Sequence, residues 1–439
     1  MDHDDRKKGM FAQVRSFNGN QKKFMVSQIV GSVYNSIVSG VLMTGFLLYT
    51  GVPAAGVGVI LSIPLLANVL QVPFGKIWDF FRNSKQAINR MVLLARLLIL
   101  SIVFIPLLVS EGSQRMMGVQ VEFRIAAISV ILFFAYIFAS SSGIRLNYWM
   151  VNSIQPDIQG TFFAFRDRIV VGLTTLISFG ASTCIDTLQQ KSNEYIGFAI
   201  IFFIAAAIAV IDYIVIRKIH YEEQLDGQSR ISLKQCVRIF HEDKRFLHFL
   251  IYMFLLSFSM NMANPYYNAY MLEELHLNYT NIFMLTTLQV GVQIAVSSGW
   301  GRIAQHIPWK NILTIVTLVL GIQFLFWPLV TPDSIGLILV IFITSGLIAT
   351  GLATAQFMLP YHYVRPHNAI RYLSINTALS ACGGFLGSLT GSKIISLFKN
   401  MDLKIGTVSI GSMQMNMIIS GLLILGTVCY ARLKMRDES

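Results

Sequence analysis

Amide side chains recur along four apolar stretches of this sequence at the spacing of one helical face. Gln28, Ser32, Asn35 and Ser39 fall every three or four residues in the first stretch, and Asn68 and Gln71 lie in the second. Asn261, Asn264 and Asn268 repeat the pattern in the seventh, with Pro265 between them and Tyr266 and Tyr267 beside it; Thr286, Gln289, Gln293 and Ser297 repeat it in the eighth. Residues three and four apart share one face of a helix. Each amide offers both a donor and an acceptor, and tyrosine rings stack on the apolar faces of sugars. The set suits reversible binding of a neutral, hydroxyl-rich solute such as a sugar or glycoside. The same residue types also serve as glue between membrane helices, and for single residues the sequence leaves both readings open. At Asn261, Asn264 and Pro265 it leans to function, because a proline break frees backbone groups that need a partner.

The ionisable residues narrow the mechanism. Asp167 and Asp212 lie toward the inner ends of the fifth and sixth stretches, and neither Asp nor Glu falls near a midpoint. Proton-driven carriers commonly use a buried carboxylate with a shifted proton affinity. The placement therefore fits uniport, or coupling to a proton or sodium ion through Asp167 or Asp212. Arg96 stands about two turns inside the third stretch, where a centred charge costs roughly 2.5–3.5 kcal/mol. It is expected to snorkel inward beside Arg90; the alternative is a pairing with Asp79 or with an anionic group of the substrate. Arg166, Asp167 and Arg168 form either an inner gate or simple inside anchors. His362 and His367, near Tyr361 and Arg365, are the nearest approach to a catalytic cluster and fall in an inner loop. No enzyme, metal or cofactor is expected. Cys184, Cys236, Cys382 and Cys429 are too far apart in sequence for metal-ligand or redox spacing.

The elements that must position these groups follow from composition. Of 439 residues, 54% are hydrophobic and 13% charged, against about 25% charged in soluble domains; the mean hydropathy is +0.60. The apolar runs are long and unbroken, so the expected fold is an all-α membrane protein. Twelve spans are read at 24–49, 55–75, 89–110, 125–148, 162–184, 195–216, 246–271, 280–300, 311–330, 335–357, 371–395 and 410–431. The third, fifth and eleventh carry charge or many small polar residues. Twenty-seven of the 34 Lys and Arg residues fall in alternate loops and tails, six in the opposite loops, and Arg96 inside a span. By the positive-inside rule both termini are cytoplasmic, which requires an even number of spans. This placement also argues against nucleic acid as the reason for the net charge of +12.

The longest polar stretch divides the chain. An N-terminal cytoplasmic segment (1–23) precedes a six-helix bundle (24–216), a linker (217–245), a second bundle (246–432) and a tail (433–439). Ile231, Leu233, Val237, Ile239 and Phe240 among basic residues suit an amphipathic helix on the inner leaflet, and Met10, Phe11, Val14 and Phe17 could act likewise; the alternative in each case is a solvated segment. The first run is too long for a cleavable signal. Asn278-Tyr-Thr280 matches a glycosylation acceptor, a pattern common by chance. Asn376, Ser380, Gly383, Gly384, Gly387 and Gly391 place small residues on one face of the eleventh span, where helices can approach closely; Arg371 and Asn376 are candidates for a role in gating there.

The two bundles share punctuation. Gly75, Asp79, Arg82 and Lys85 after the second span answer Gly301, Gln305 and Lys310 after the eighth. Trp149, Asn152 and Pro156 after the fourth answer Leu359, Pro360 and Pro366 after the tenth, at offsets of about 210–226 residues. Internal repeats of this kind mark secondary transporters. The Gly75 to Lys85 segment resembles the loop between helices 2 and 3 of the major facilitator superfamily, G-x-x-x-D-R-x-G-R-R/K, with Phe80 in place of the cation and Arg82 in place of the second glycine. The stretch from Trp149 to Asp167 is similar to the link between helices 4 and 5 in facilitators of unassigned substrate, with Asn152 where Asp is common and Gln159-Gly160 in place of Arg-Gly. The resemblance implies two pseudo-symmetric six-helix bundles and alternating access to a central site where helices 1, 2, 7 and 8 meet. It also implies a latch on the cytoplasmic side through Asp79, with Arg82 and Lys85 beside it. The expected partners are the lipid bilayer and a small-molecule substrate, with the chain a monomer in a bacterial inner membrane. Export of amphiphiles or lipid-like molecules, and a non-transporting receptor on the same fold, are the alternatives.

Overall fold

The computed structural model describes residues 17–70, 85–109, 112–116, 119–220, 244–363, 369–399, 403–405 and 408–435. Among them, ten helices are long and apolar enough to cross a membrane. A shorter apolar stretch, Ala54–Leu70, and the small-residue helix Ala369–Leu397 cover the other two spans read from the sequence. The amphipathic linker, Asp79, Arg82, Gln71 and the segment before Phe17 lie outside the described residues. Two short antiparallel hairpins depart from a purely helical chain: β1 (Ser113–Met116) with β2 (Val119–Glu122), and β3 (Leu403–Ile405) with β4 (Val408–Ile410). They occupy loops between spans, where pairing satisfies backbone groups that helices do not.

The chain forms two compact units, Met1–Thr50 with Pro73–Gly227 and Gly51–Val72 with Gln228–Ser439. In the first, α1 (Gly19–Ile37) and α2 (Gly40–Tyr49) make a first span broken at Val38–Ser39. Next in sequence, α3 (Ala54–Leu61) packs in the second unit. Then come α4 (Lys85–Ser101), a 3₁₀ turn and α5 (Ile105–Leu108), followed by α6 (Phe123–Asn152), α7 (Pro156–Gln189) and α8 (Glu194–Arg217). The sequence division at 217–245 thus differs from the packing division, since residues 51–70 leave the first bundle.

Unit 1 is pinned at three levels. At one end, Phe17, Phe24, Trp149, Ile154, Phe162 and Ile219 belong to one apolar cluster, so the Trp149 to Phe162 motif is a packing nexus. Above them α8 runs out of intrahelical partners for its last carbonyls, as every helix does. Lys23 Nζ donates to the Lys218 carbonyl at 2.9 Å, Lys85 Nζ donates to that of Ile219, and Asn20 pairs with the His220 backbone. Cations at a helix C-terminus also complement its dipole. At the other end Arg124 does the same work: its guanidinium donates to the carbonyls of Val109 (3.0 Å), Thr50 (3.1 Å) and Pro106 (3.4 Å). Arg124 is therefore a cap for the ends of two spans.

The third level corrects the expectation for Arg96. Its guanidinium neither snorkels toward Arg90 nor waits for a substrate anion; it forms an ion pair with Asp212 on α8. The carboxylate is fully buried. The Tyr34 hydroxyl donates to the Arg96 carbonyl at 3.0 Å, and the guanidinium lies 5.1 Å from the Tyr34 ring centroid. Gly31 leaves the room: a Cβ there would stand 3.1 Å from Arg96 Nη2 and 3.8 Å from Asp212 Oδ2. An unpaired charge at membrane depth is costly, so two charges that neutralise one another are the stable solution.

In unit 2, α3 joins α9 (Lys244–Ala263), a 3₁₀ turn (Asn264–Tyr266) and α10 (Tyr267–Glu273). These are followed by α11 (Tyr279–Ile303), α12 (Trp309–Phe326), α13 (Leu337–Tyr363), α14 (Ala369–Leu397) and α15 (Ser412–Lys434). The Asn278 side chain caps α11 by accepting from Asn281 N at 2.9 Å. Gly383, Gly387 and Gly391 of α14 sit directly on the carbonyls of Phe254, Phe258 and Met262 of α9, so close that any Cβ would overlap them. Such contact maximises packing where water supplies no driving force. Leu176, Phe203, Val340 and Leu422 stay exposed, as lipid-facing side chains do.

Asp212→Asn strands the Arg96 charge and is expected to cost about 3–5 kcal/mol, whereas the double variant Arg96→Gln/Asp212→Asn should lose much less. Thermal unfolding in detergent reads the difference. Equal losses in the single and double variants would show that the pair is not a unit.

Candidate functional site

The break in the seventh span follows from Pro265. An α-helix would donate the N–H of residue 265 to the carbonyl of Asn261, and proline has none to give. The structure hands that carbonyl to Ser388 Oγ of α14 at 3.1 Å. The neighbouring carbonyls are served in the same way: Asn416 Nδ2 of α15 donates to Met262 O at 2.6 Å, and Ser420 Oγ donates to Ser259 O. The backbone groups freed at this break are thus capped by helices of the same unit, which removes one reason for assigning them to a ligand. Sequence reasoning missed Ser388, Asn416 and Ser420. Their signal was present as Ser388 and Ser392, and Asn416 and Ser420, four apart in apolar helices.

The first span breaks without proline. Gly40 adopts φ +61°, a left-handed conformation that glycine enters without steric cost. Ser39 Oγ donates to Asn35 O at 2.6 Å and Ser36 Oγ to Val33 O at 2.8 Å. The two breaks begin at Val38 and Asn264, 226 positions apart, so they occupy equivalent places in the repeat.

The amide candidates divide by surroundings. Asn35 and Asn68 are exposed, Asn264 at the second break is exposed, and Gln28, Asn268, Gln289 and Gln293 are half-buried. Ser32, Thr286 and Ser297 return their hydroxyls to carbonyls of their own helices, which leaves the amides as the recognition groups of the stripes. Asn261 is more committed: Nδ2 donates to Ser257 O at 2.9 Å and packs where Gly384 lacks a side chain.

Tyr266 and Tyr267, expected beside a solute, are packing residues in this conformation. The 3₁₀ turn sends them different ways. Tyr266 is fully buried, its ring over Gly58 and its hydroxyl donating to Ser388 O at 3.1 Å. Tyr267 stacks on Trp327 with centroids 4.5 Å apart.

Among the gating and coupling candidates, Asp167 is exposed and bonded to the adjacent Arg166 at 2.7 Å, and the Arg166 guanidinium lies 4.8 Å from the Phe163 ring centroid. Arg168 is exposed. Lys85 is engaged with the end of α8 and Asp212 with Arg96. Asn376 is buried on α14; Arg371 lies on the same helix. Among the described residues, no group of three His, Cys, Asp or Glu side chains is placed to hold a metal.

Known proteins place this arrangement. No curated protein matches the chain significantly in sequence. Solved structures share its fold: the nucleoside transporter NupG is 12% identical with a TM-score of 0.68, over 96% of this chain and 100% of that one. A D-xylose-proton symporter is 12% identical with a TM-score of 0.63, over 95% and 97%. An inward-facing bacterial homologue of the iron transporter ferroportin is 12% identical with a TM-score of 0.66, over 93% and 98%. The family model described as the MFS_1 like family matches residues 33–403. The chain therefore belongs to the MFS_1 like family and is a multi-pass membrane transporter of the major facilitator fold, not an enzyme.

Proposed function

We propose that this transporter moves a neutral, polar, hydroxyl-rich solute, of the size of a sugar, glycoside or nucleoside, by alternating access. The observation that carries the reading is the placement of uncommitted amides at the two equivalent helix breaks. Asn35 stands one turn before the first, and Asn264 opens the second. Gln28, Asn68, Asn268, Gln289 and Gln293 extend the set along spans 1, 2, 7 and 8. Amides match hydroxyls as both donors and acceptors, and transporters of this type bind between their repeats. A nucleoside transporter and a xylose symporter use the same fold, so it accommodates solutes of this chemistry. Gln71 belongs to the same stripe by sequence.

Movement without ion coupling is the accompanying reading. The two carboxylates nearest the task, Asp167 and Asp212, are each paired with an arginine. We place both termini in the cytoplasm on the strength of the charge bias, and propose that the chain is a monomer in a bacterial inner membrane.

Purified protein screened by thermal shift against sugars, glycosides, nucleosides, amino acids and amphiphiles is expected to answer to a hydroxyl-rich neutral compound. Asn264→Ala and Asn35→Ala should each weaken that stabilisation, by about the tenfold in affinity that a buried hydrogen-bonding amide carries. Undiminished stabilisation in both variants would refute the site. In liposomes, flux of the same compound is expected to be indifferent to an imposed pH gradient. Strong proton dependence that disappears on Asp167→Asn or Asp212→Asn would overturn uncoupled movement.

A further inference from the structure

Inside unit 2, the Tyr267 hydroxyl, Trp327 Nε1 and Gln323 Oε1 are buried and have no hydrogen-bond partner among the described residues. Trp327 and Gln323 are only 2% and 7% exposed. Buried polar groups are nearly always paired, so three together call for a common explanation. They converge on one place. Trp327 follows α12 in helical conformation, φ −54° and ψ −43°, and a side chain there lies back over the residues three and four before it, Phe324 and Gln323. Tyr267 of α10 covers the same patch. Its ring is 13° from parallel to that of Trp327, with centroids 4.5 Å apart, and it meets Phe324 edge-on at 5.5 Å. On α13, Phe342 packs on Trp327 at 6.3 Å, and Ser345, one turn further on, accepts from Gln323 Nε2 at 2.5 Å. That bond fixes the amide and leaves Oε1 as its free end. Tyr270 shows the contrast: its ring also meets Trp327, but its hydroxyl donates to Val330 O at 2.7 Å and accepts from Gln414 Nε2 at 3.0 Å.

We propose that Tyr267, Trp327 and Gln323 form a binding site for one buried water, which joins α10 to α12 where α13 also meets them. The chemistry of the three groups selects the occupant. The indole N–H only donates, the amide oxygen only accepts, and the hydroxyl does either. An anion would suit the indole and face the amide oxygen; a metal cation would suit the amide and face the indole proton. A neutral molecule that both donates and accepts satisfies all three, and a buried water making about three hydrogen bonds is the smallest such molecule. Direct bonds between the two rings are excluded by the stack itself. The O–H and N–H lie in the planes of their own rings, and parallel planes aim them past one another. A bridging molecule is what such a pair can share. It ties the segment that follows the Pro265 break to the ninth and tenth spans without bringing a charge into the bundle, where charge is costly. The site lies wholly within unit 2 and does not depend on which solute is carried.

X-ray radiolytic labelling of the full chain in nanodiscs tests the site. A bound water struck by X-rays becomes a hydroxyl radical in place and oxidises the side chain beside it. Trp327 is therefore expected to be modified several-fold more than Trp149, which is 7% exposed in the apolar cluster of unit 1. Tyr267→Phe keeps the stack and removes one bond to the water, and Gln323→Leu removes the acceptor; each should bring the Trp327 yield down toward that of Trp149. Thermal unfolding supplies a second reading that needs only Tyr267→Phe. Loss of a hydroxyl that holds a water should lower the midpoint by about 2–4 °C, the weight of one hydrogen bond. Loss of a hydroxyl that holds nothing should leave the midpoint unchanged or raise it, since an unpaired buried group is a cost removed. The site is overturned if Trp327 is labelled no more than Trp149 in the unsubstituted chain, if its yield ignores both substitutions, or if Tyr267→Phe fails to lower the midpoint.

Discussion

A backbone carbonyl in hydrocarbon must find a donor within the protein, and this requirement organises the whole molecule. Regular helices meet it by themselves. At the Pro265 break and at several span ends among the described residues, a side chain supplies the missing donor. Arg124 does so at the adjoining ends of the first and third spans, Lys23 and Lys85 at the end of the sixth. Ser388, Asn416 and Ser420 do so around the Pro265 break. The polar residues of these spans therefore divide into those that serve the backbone and those left over. Among the described residues, Asn35, Asn68 and Asn264 belong to the second group.

The frame of spans was legible because hydrophobic length and loop charge are local properties, and they agreed with one another. The break at Pro265 was legible for the same reason: the missing N–H is written into one residue. The break at Ser39–Gly40 was not, because glycine and serine occur throughout membrane helices and mark no compulsory loss of a bond. The partner of Arg96 was not legible either. Asp212 lies on a distant span, and nothing in either residue's neighbourhood names the other; only packing brings them together. Tyr266 and Tyr267 show the remaining limit. Adjacent in sequence and alike in chemistry, they are sent to different surroundings by a three-residue turn whose winding no pattern of residue types specifies.

The Arg96–Asp212 pair also changes how the carboxylates should be understood. By sequence, Asp212 stood out as a group in search of a proton. Paired with the Arg96 guanidinium, which itself lies against the Tyr34 ring, it is a neutralised junction of spans 1, 3 and 6. Its burial contributes to holding three helices as one body, which is what a rigid moving part requires.

The glycine row of α14 has a mechanical consequence. Gly383, Gly387 and Gly391 recur every four residues, and the carbonyls they touch, at Phe254, Phe258 and Met262, recur every four residues too. Displacing one helix along the other by a single position would drive side chains into those carbonyls, and the next register that fits is about 6 Å away, four residues of helical rise. Sliding is thus confined to widely separated notches, like teeth on a rack. Any smaller excursion of these two spans must be a common tilt, which makes them a single lever.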